Sequence, residues 1–142
     1  MNIKIETVAN IFVIIGAIIS AWTYYHSVRK NARLSTMKAY SKIRSKYPDE
    51  ISEKEIKGYL LEMEFFCLGI NNKVYDFKTL RRMSGRRLYK QYQNRIKPYI
   101  ELRRTKDTAK NSWYEYERVM RRLECYYCLN RIRLLKLFCK KR

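Results

Sequence analysis

The feature that most constrains this chain is the charge-free apolar run VANIFVIIGAIISAWTYY at residues 8–25. As a helix rising about 1.5 Å per residue, this run approaches the ~30 Å thickness of a bilayer's hydrocarbon core. A signal peptide fits less well, because little positive charge precedes the run and the basic residues follow it instead. The sequence therefore predicts a single transmembrane helix within residues 1–28.

The residues that flank the run predict its orientation. Trp22, Tyr24 and Tyr25 lie where an interfacial aromatic belt is expected. Three basic residues follow closely: Arg29, Lys30 and Arg33. Because positive charge is retained on the cytoplasmic side of a membrane, we expect the N-terminus outside and the rest of the chain in the cytoplasm.

One half of the predicted span is made of small and polar residues, while bulky isoleucines occupy the other half. At 100° per residue, the small half includes Ala9, Asn10, Val13, Gly16, Ala17, Ser20 and Ala21. Small residues let helix backbones approach closely, and a polar Asn10 in a membrane calls for a partner. Chance segregation is the alternative, but the pattern favours a homo-oligomer formed through this face.

The net charge requires an anionic partner or neighbour. The chain has 32 Lys and Arg against 13 Asp and Glu, a formal charge of +19. Nucleic acid, a nucleotide signal, an anionic membrane and an acidic protein all qualify. Residues 29–48 read as a basic stalk that continues the span as a helix until Pro48, and residues 49–142 as the cytosolic domain.

The cytosolic domain opens with a core-facing helix. Ser52 and Glu55 have the spacing of a capping box, and Gly69 predicts the C-terminal stop. The expected buried positions follow helical spacing: Ile56, Tyr59, Leu60, Met63, Phe66 and Cys67.

Two further helical regions follow. Asp76 is expected to cap a short helix that Ser84 and Gly85 interrupt, and the next helix should run from Arg86 to about residue 105. Pro98 inside it should kink or divide it.

The last helix is predicted from a second capping-box pair, Ser112 and Glu115, and reaches Phe138. Its apolar stripe consists of Trp113, Tyr116, Met120, Leu123, Tyr127 and Leu134. No stretch alternates as a strand would. The fold class is therefore all-α: a transmembrane helix, a basic stalk and a small bundle of four or five helices.

The residues needed for catalysis are scarce. His26, the only histidine, falls at the predicted membrane boundary, where interfacial packing explains it. Glu62 and Glu64 are two residues apart and so lie on different helix faces, as do Glu115 and Glu117. The chain has no glycine-rich phosphate-binding motif. We expect no enzyme activity and no cofactor.

Four cysteines leave one alternative open. The topology puts Cys67, Cys125, Cys128 and Cys139 in the cytosol, where thiols stay reduced. A zinc site built from all four is possible in principle, but their spacing matches no recurrent zinc module. Structural thiols are the simpler interpretation, and no metal is expected.

Residues 60–123 resemble a family of small bacterial proteins with an N-terminal membrane anchor and a helical cytosolic domain of unassigned function. The matching residues are Glu64, Phe65, Leu68, Gly69, Ile70, Tyr75, Asp76, Gly85, Arg86, Lys97, Pro98, Tyr99, Ile100, Arg103 and Arg104, and "WYEYERVMRRL" resembles the family's later helix. Some relatives carry a phage abortive-infection label. The resemblance implies a bacterial inner-membrane protein, a role in defence and possible partner proteins of a defence system.

The basic residues of the second half suggest a binding surface. On a helical wheel Arg86, Arg87 and Lys90 lie opposite Leu88 and Tyr92. The predicted anionic-ligand surface comprises Arg81, Arg82, Arg86, Arg87, Lys90, Lys97, Arg103, Arg104, Arg118, Arg121 and Arg122. A solvated helix face is the alternative for each of these residues.

Three functions follow from these observations. The first is a defence effector or accessory protein, in which the cytosolic domain senses an anionic ligand or partner and the span oligomerises to disturb the membrane. The second is a membrane tether that binds nucleic acid without effector activity, with an affinity that falls steeply as salt rises. The third is a scaffold whose basic surface lies on the inner leaflet.

Overall fold

A computed structural model describes the backbone of residues 2–47, 51–106 and 112–139, and the side chains of residues 9–47, 51–105 and 112–129. In chain order the elements are α1 (Asn2–Lys46), α2 (Glu53–Asn71), α3 (Phe77–Gln91), a π-helical turn (Tyr92–Ile96), α4 (Lys97–Lys106) and α5 (Tyr114–Cys139). These described ranges contain no strand, so the predicted all-α class is confirmed.

Helix α1 joins the apolar run and the stalk without a break. Every side chain from residue 9 to residue 31 is exposed, and Phe12 shows 70% of its surface. So much exposed apolar surface is unusual for a protein surrounded by water. The helix is long and apolar enough to cross a membrane. It ends at Lys46, before Pro48, as predicted.

The stalk half of α1 packs against the other helices of the bundle. Tyr40 and Ile43 are buried against the core, and so is the hydroxyl-bearing Thr36. Thr36 Oγ1 donates to the Ala32 carbonyl at 2.6 Å and accepts from the Asp76 backbone N–H at 2.7 Å. This pair of hydrogen bonds ties α1 to the connection between α2 and α3.

Helix α2 buries every residue that the sequence predicted for it, together with Ile70. At its start the Glu55 carboxylate accepts from the Ser52 backbone N–H at 3.2 Å and from its hydroxyl at 2.7 Å. The prediction that Gly69 stops the helix is wrong, since α2 continues to Asn71. A Cβ at Gly69 would lie 2.5 Å from the Tyr75 ring, so the glycine makes room for this aromatic residue.

Helix α3 begins with the predicted cap: the Asp76 carboxylate accepts from the Thr79 backbone N–H at 3.0 Å. Partial burial alone would raise the pKa of Asp76, but hydrogen bonds from Thr79 hold it below its ordinary value. The predicted interruption at Ser84 and Gly85 is wrong, because both residues are buried inside α3. A Cβ at Gly85 would lie 2.7 Å from Tyr127 Oη, so glycine permits close packing against α5.

Pro98 does not separate the helices on either side of it. The π turn lies directly before α4, and Pro98 is the second residue of α4. Proline lacks the N–H that would bond to the carbonyl four residues earlier. In the π turn the Lys97 backbone N–H instead bonds to the Tyr92 carbonyl, five residues back. Helix α3, the π turn and α4 therefore form one continuous helical rod.

Helix α5 is capped by a residue from another helix, not by the predicted Ser112 and Glu115 pair. The Glu64 carboxylate of α2 accepts from the backbone N–H groups of Glu115 at 2.9 Å and Tyr116 at 2.8 Å. The Glu115 side chain accepts from Asn71 Nδ2 at 2.5 Å. The start of α5 is thus fixed directly onto α2.

The apolar stripe of α5 is confirmed where its side chains are described. Tyr116, Met120 and Leu123 are fully buried. Trp113 and Tyr127 are half-buried and pack against the core. Leu134 lies outside the described side chains, although the α5 backbone continues to Cys139 and so passes Phe138 as predicted.

Candidate anion-binding groove

A basic groove lies on the outer side of α3 and the π turn. It has a volume of about 720 Å³. Six residues line it: Arg86, Arg87, Lys90, Gln91, Asn94 and Arg95. Among these described lining residues four are cations and none is a carboxylate. Arginine and lysine are the side chains that bind phosphate and carboxylate groups best, and the two amides add further hydrogen-bonding groups.

The spacing of the lining residues explains why they share one surface. Arg86, Lys90 and Asn94 follow one another at intervals of four, and a second row one residue later contains Arg87, Gln91 and Arg95. Residues four apart are neighbours on a helix surface. The groove is therefore two adjacent rows of polar side chains that follow the rod.

The π turn bears on how these rows are aligned. On the buried side Leu88, Tyr92, Ile96 and Ile100 also repeat every four residues, and all four are buried. An ideal α-helix has 3.6 residues per turn, so four residues overshoot a full turn by about 40° each time. The wider i→i+5 turn at Tyr92–Ile96 takes up this drift. It holds both the core row and the basic rows in register through the middle of the rod.

Contacts with α2 fix the floor of the groove. The Tyr59 hydroxyl donates to Gln91 Oε1 at 3.5 Å, a long hydrogen bond. Burial raises the pKa of Tyr59 far above its ordinary value, so this phenol stays protonated and remains a donor. With its oxygen directed toward Tyr59, Gln91 has its NH₂ group available for other acceptors.

A smaller basic recess continues the groove toward the start of α3. It has a volume of about 310 Å³ and shares Arg86 and Arg87 with the groove. Its other basic lining residues are Arg81 and Arg82. The Arg81 guanidinium lies 3.8 Å from the centre of the Tyr126 ring, a cation–π contact with α5. Six cations thus line the two connected recesses along α3.

At the other end, the groove adjoins a recess whose lining includes a carboxylate. Arg95 also borders a more apolar recess of about 430 Å³ between α4 and the start of α2, where Glu53 is part of the lining. A long anionic ligand would therefore extend from Arg95 toward Arg81 rather than past Glu53.

Several predicted residues lie elsewhere. Lys97, Arg118 and Arg121 are exposed but do not line the groove or the smaller recess. Arg103 Nε donates to the Tyr99 hydroxyl at 3.3 Å. Arg122 lies 4.1 Å from the centre of the Phe77 ring and donates to Asn71 Oδ1 at 3.3 Å.

Arg104 belongs to the framework of the bundle. It forms an ion pair with Glu117 of α5 at 2.8 Å, and its Nη2 donates to the Ser112 carbonyl at 3.3 Å. Its side chain is 31% exposed and that of Glu117 only 15%. The pair closes the connection between α4 and α5, so we assign Arg104 to structure rather than to the binding surface.

The small face of the apolar run is exposed along its described length. Nothing lies within 4 Å of a Cβ built at Gly16. Ser20 Oγ donates to the Gly16 carbonyl at 2.8 Å, and Thr23 Oγ1 donates to the Ser20 carbonyl at 2.9 Å. These hydroxyls are satisfied within their own helix, so close backbone packing, not hydrogen bonding, is what this face offers a partner helix.

The thiols do not assemble a metal site in the described part of the chain. Cys67 is buried in the core, whereas Cys125 and Cys128 are exposed on α5. Burial raises the pKa of the Cys67 thiol well above its ordinary value, which keeps it protonated. No group of three or more His, Cys, Asp or Glu residues suited to a metal occurs among the described residues. Cys139 lies outside the described side chains.

His26 packs between aromatic rings at the predicted membrane boundary. Its ring centre lies 4.8 Å from that of Trp22 and 6.2 Å from that of Tyr25. Arg29 lies 5.0 Å from the Tyr25 ring. This aromatic and basic cluster is the arrangement expected where a span leaves the bilayer.

The structure thus defines a class of protein: a helical bundle that continues from a long apolar N-terminal helix and carries a basic groove. The chain belongs to the family of the domain of unknown function DUF4760, whose family model matches residues 10–123. No curated protein and no solved structure matches the chain. The match begins inside the apolar run, so it includes most of helix α1.

Three groove residues were missing from the sequence prediction: Gln91, Asn94 and Arg95. The available signal was the interval of four from Arg87 and Lys90. The predicted surface included only Arg and Lys, so the amides Gln91 and Asn94 that complete the two rows were left out.

Proposed function

We propose that this chain is a membrane-anchored, non-catalytic protein whose helical domain binds a phosphate-bearing ligand in the groove of α3. The observation that carries the proposal is the groove itself, lined by four cations and two amides. Concentrated positive charge has a cost in self-repulsion, which a bound anion relieves. The adjoining Arg81 and Arg82 would extend the binding to a second phosphate group.

In this proposal, the apolar run of α1 anchors the helical domain to a membrane. Helix α1 carries an apolar run long enough to span a bilayer and continues directly into the helical domain. With basic residues following the run, the domain would face the cytoplasm. Binding of a soluble anionic signal would then be reported at the membrane through the same helix.

We further propose, on the resemblance to abortive-infection relatives, that the protein serves as an effector or accessory component of a bacterial phage-defence system. In this proposal, ligand binding in the groove favours association of spans through the face that contains Gly16 and Ser20. The assembled spans disturb the inner membrane. Close helix packing at small residues supports this association step.

The groove proposal predicts that charge must be removed from particular positions to weaken binding. The variant R86Q/K90Q/R95Q removes three lining cations while keeping hydrogen-bonding side chains. We expect its affinity for a fluorescent ATP analogue or a labelled single-stranded 20-mer to fall at least about tenfold, equivalent to ~1.4 kcal/mol. The measurement is fluorescence anisotropy of the full chain in detergent.

A matched control removes the same charge elsewhere. The variant K97Q/R118Q/R121Q changes three exposed cations that do not line the groove. Its affinity should stay within about twofold of the unmodified chain if the groove is the site. Equal losses in both variants would show diffuse attraction by net charge and would refute a localised site.

The same titrations distinguish the alternative function, a nucleic-acid tether. A tether should bind the 20-mer far more tightly than the nucleotide. The slope of its logarithmic affinity against logarithmic salt concentration should decrease by about 0.7 for each single-strand phosphate that a variant no longer neutralises. Preferential binding of the nucleotide would instead favour the sensor. The length of the basic surface from Arg81 to Arg95 is compatible with either ligand, so the comparison decides between them.

A further inference from the structure

The helices of the bundle alternate in direction. Near one end of the bundle, Lys46 of α1 pairs with Glu62 of α2, and Tyr59 of α2 contacts Gln91 of α3. Near the other end, α2 finishes at Asn71, and the connection to α3 is held by Thr36 of α1. Helix α2 thus runs back toward the apolar half of α1, and α3 runs away from it.

Helix α5 returns toward the apolar half of α1. Its early residue Tyr116 contacts Tyr92 at the far end of α3, with ring centres 5.8 Å apart. Ten residues later, Tyr126 lies against Arg81, one turn from the start of α3. The remainder of α5 therefore projects past the start of α3, on the side where α1 continues into its apolar run.

The lengths of the two projecting segments match. From Tyr126 to Cys139 the α5 backbone advances about 20 Å, of which about 6 Å is needed to reach the level of Phe77. On α1, the distance from Thr36, which is held at that level, back to Tyr25 is about 16 Å. The end of α5 thus comes close to the level at which α1 leaves its apolar run.

The sequence at this end of α5 suits a membrane surface. Residues 131–139 read RIRLLKLFC, three cations among five aliphatic and aromatic residues. Every charged residue after Glu124 is basic. Helical segments that combine cations with leucine and phenylalanine bind the interface of anionic bilayers. Juxtamembrane cations contribute only within about a Debye length of the lipid, and the end of α5 comes close to the level at which α1 leaves its apolar run.

We propose that residues 131–139 form a second membrane contact, in which the end of α5 binds the anionic surface of the leaflet that α1 has just crossed. This proposal rests on the membrane anchor of the proposed function but not on the groove. It gives the bundle two points of attachment to the bilayer, one at α1 and one at the end of α5. The bundle would then be held at a fixed tilt instead of turning freely on the stalk.

Fluorescence quenching in vesicles tests the contact. In a C125S/C128S background, bimane on Cys139 reports on the end of α5, because Cys67 is buried and inaccessible. The full chain is reconstituted in vesicles of phosphatidylcholine and phosphatidylglycerol, with roughly one charged lipid in three. A lipid carrying a nitroxide near its headgroup should quench the probe at least twofold.

Two variants test whether the quenching depends on the cations of residues 131–139. R131Q/R133Q/K136Q should lose most of the quenching, whereas R44Q/K54Q/K57Q, which removes three cations at the opposite end of the bundle, should retain it. Pure phosphatidylcholine should also abolish the quenching. Quenching that is unaffected by R131Q/R133Q/K136Q, or absent from Cys139 in the anionic vesicles, would overturn the proposal.

A separate probe distinguishes failure of the second membrane contact from failure of the membrane anchor. Bimane on S20C in a C125S/C128S/C139S background should be quenched by a nitroxide placed deep in the acyl chains. If S20C is quenched and Cys139 is not, the anchor stands and the second contact is refuted. If neither probe is quenched, the anchor itself is refuted, and the second contact fails with it.

Discussion

At the scale of single residues, Glu64 shows how one side chain can fix the position of a whole helix. Its carboxylate accepts from two backbone N–H groups in the first turn of α5, which would otherwise be unsatisfied at a helix N-terminus. Its negative charge also lies at the positive end of the α5 dipole. The residue comes from α2, fifty-one positions before Glu115 in the chain. Sequence spacing alone contains no sign of such a distant cap.

Replacing Glu64 should therefore weaken the bundle in a graded way. We expect E64A to lower the free energy of unfolding by about 2 kcal/mol, because two backbone donors lose their acceptor. E64Q retains one acceptor oxygen and should cost about half as much. Thermal unfolding in detergent, followed by circular dichroism, should show a shift of roughly 4 °C per kcal/mol.

The exposed Glu101 supplies the control for this series. E101A removes the same charge from α4 and should change the melting temperature by no more than about 2 °C. Similar losses in E64A and E101A would mean that net charge, and not the cap, explains the effect.

At the scale of elements, the helices that bury a regular stripe were predictable, and those that depend on a tertiary contact were not. The six buried positions of α2 and the cap at Asp76 follow from local spacing and local hydrogen bonds. Gly85 is instead packed closely against Tyr127, far along the chain in α5. The π turn depends on both Pro98 and the core row. Local rules identify a breaker, but only packing shows whether the helix breaks.

The contact at Gly85 can be tested by a double substitution. An alanine Cβ at this position would lie 2.7 Å from Tyr127 Oη and 3.3 Å from Leu123 Cδ2. Because alanine is a better helix former by about 1 kcal/mol, G85A should be stabilising once the hydroxyl is removed. We expect G85A to be about 1 kcal/mol more favourable in a Y127F background than in the unmodified chain.

Thermal unfolding of the four proteins in this cycle gives the coupling directly. An effect of G85A that is the same in both backgrounds would show that the Tyr127 hydroxyl does not restrict this position. The close approach of α3 and α5 would then require another explanation.

In the candidate site too, some residues were predictable from local spacing and others depended on contacts between helices. The cations Arg86, Arg87 and Lys90 were predictable from their common helix face. Arg95 follows Arg87 and Gln91 at intervals of four on the same predicted helix, but the predicted surface did not include it. The exclusion of Arg104 required its ion pair with Glu117, a contact between helices that charge patterning does not reveal.

At the scale of the whole molecule, the exposed apolar half of α1 and the bundle form one unit. The apolar half has no partner within the described chain, whereas the stalk half is covered by α2 and α3. If spans associate through their small face, the small side chains must be what allows the backbones to approach.

Bulky substitutions should then prevent association. We expect G16I/S20I to abolish the oligomers that chemical crosslinking detects in membranes, while I14L/I18L, on the opposite side of the helix, should leave them unchanged. Oligomers that survive G16I/S20I would refute assembly through this face. Their loss in both variants would mean that the span as a whole, and not one face, determines association.

The continuity of α1 has a consequence for how the two halves are oriented about a common axis. Because no loop separates the apolar run from Thr36, the number of residues between them fixes the direction of the small face relative to the bundle. Each residue contributes a rotation of about 100° about the helix axis. A single inserted residue between them would rotate the basic groove by that angle around the membrane normal while raising it only ~1.5 Å. In an assembly of several copies, the groove of each would therefore point in a direction dictated by the packing of the spans, and a change of packing would turn all the grooves together.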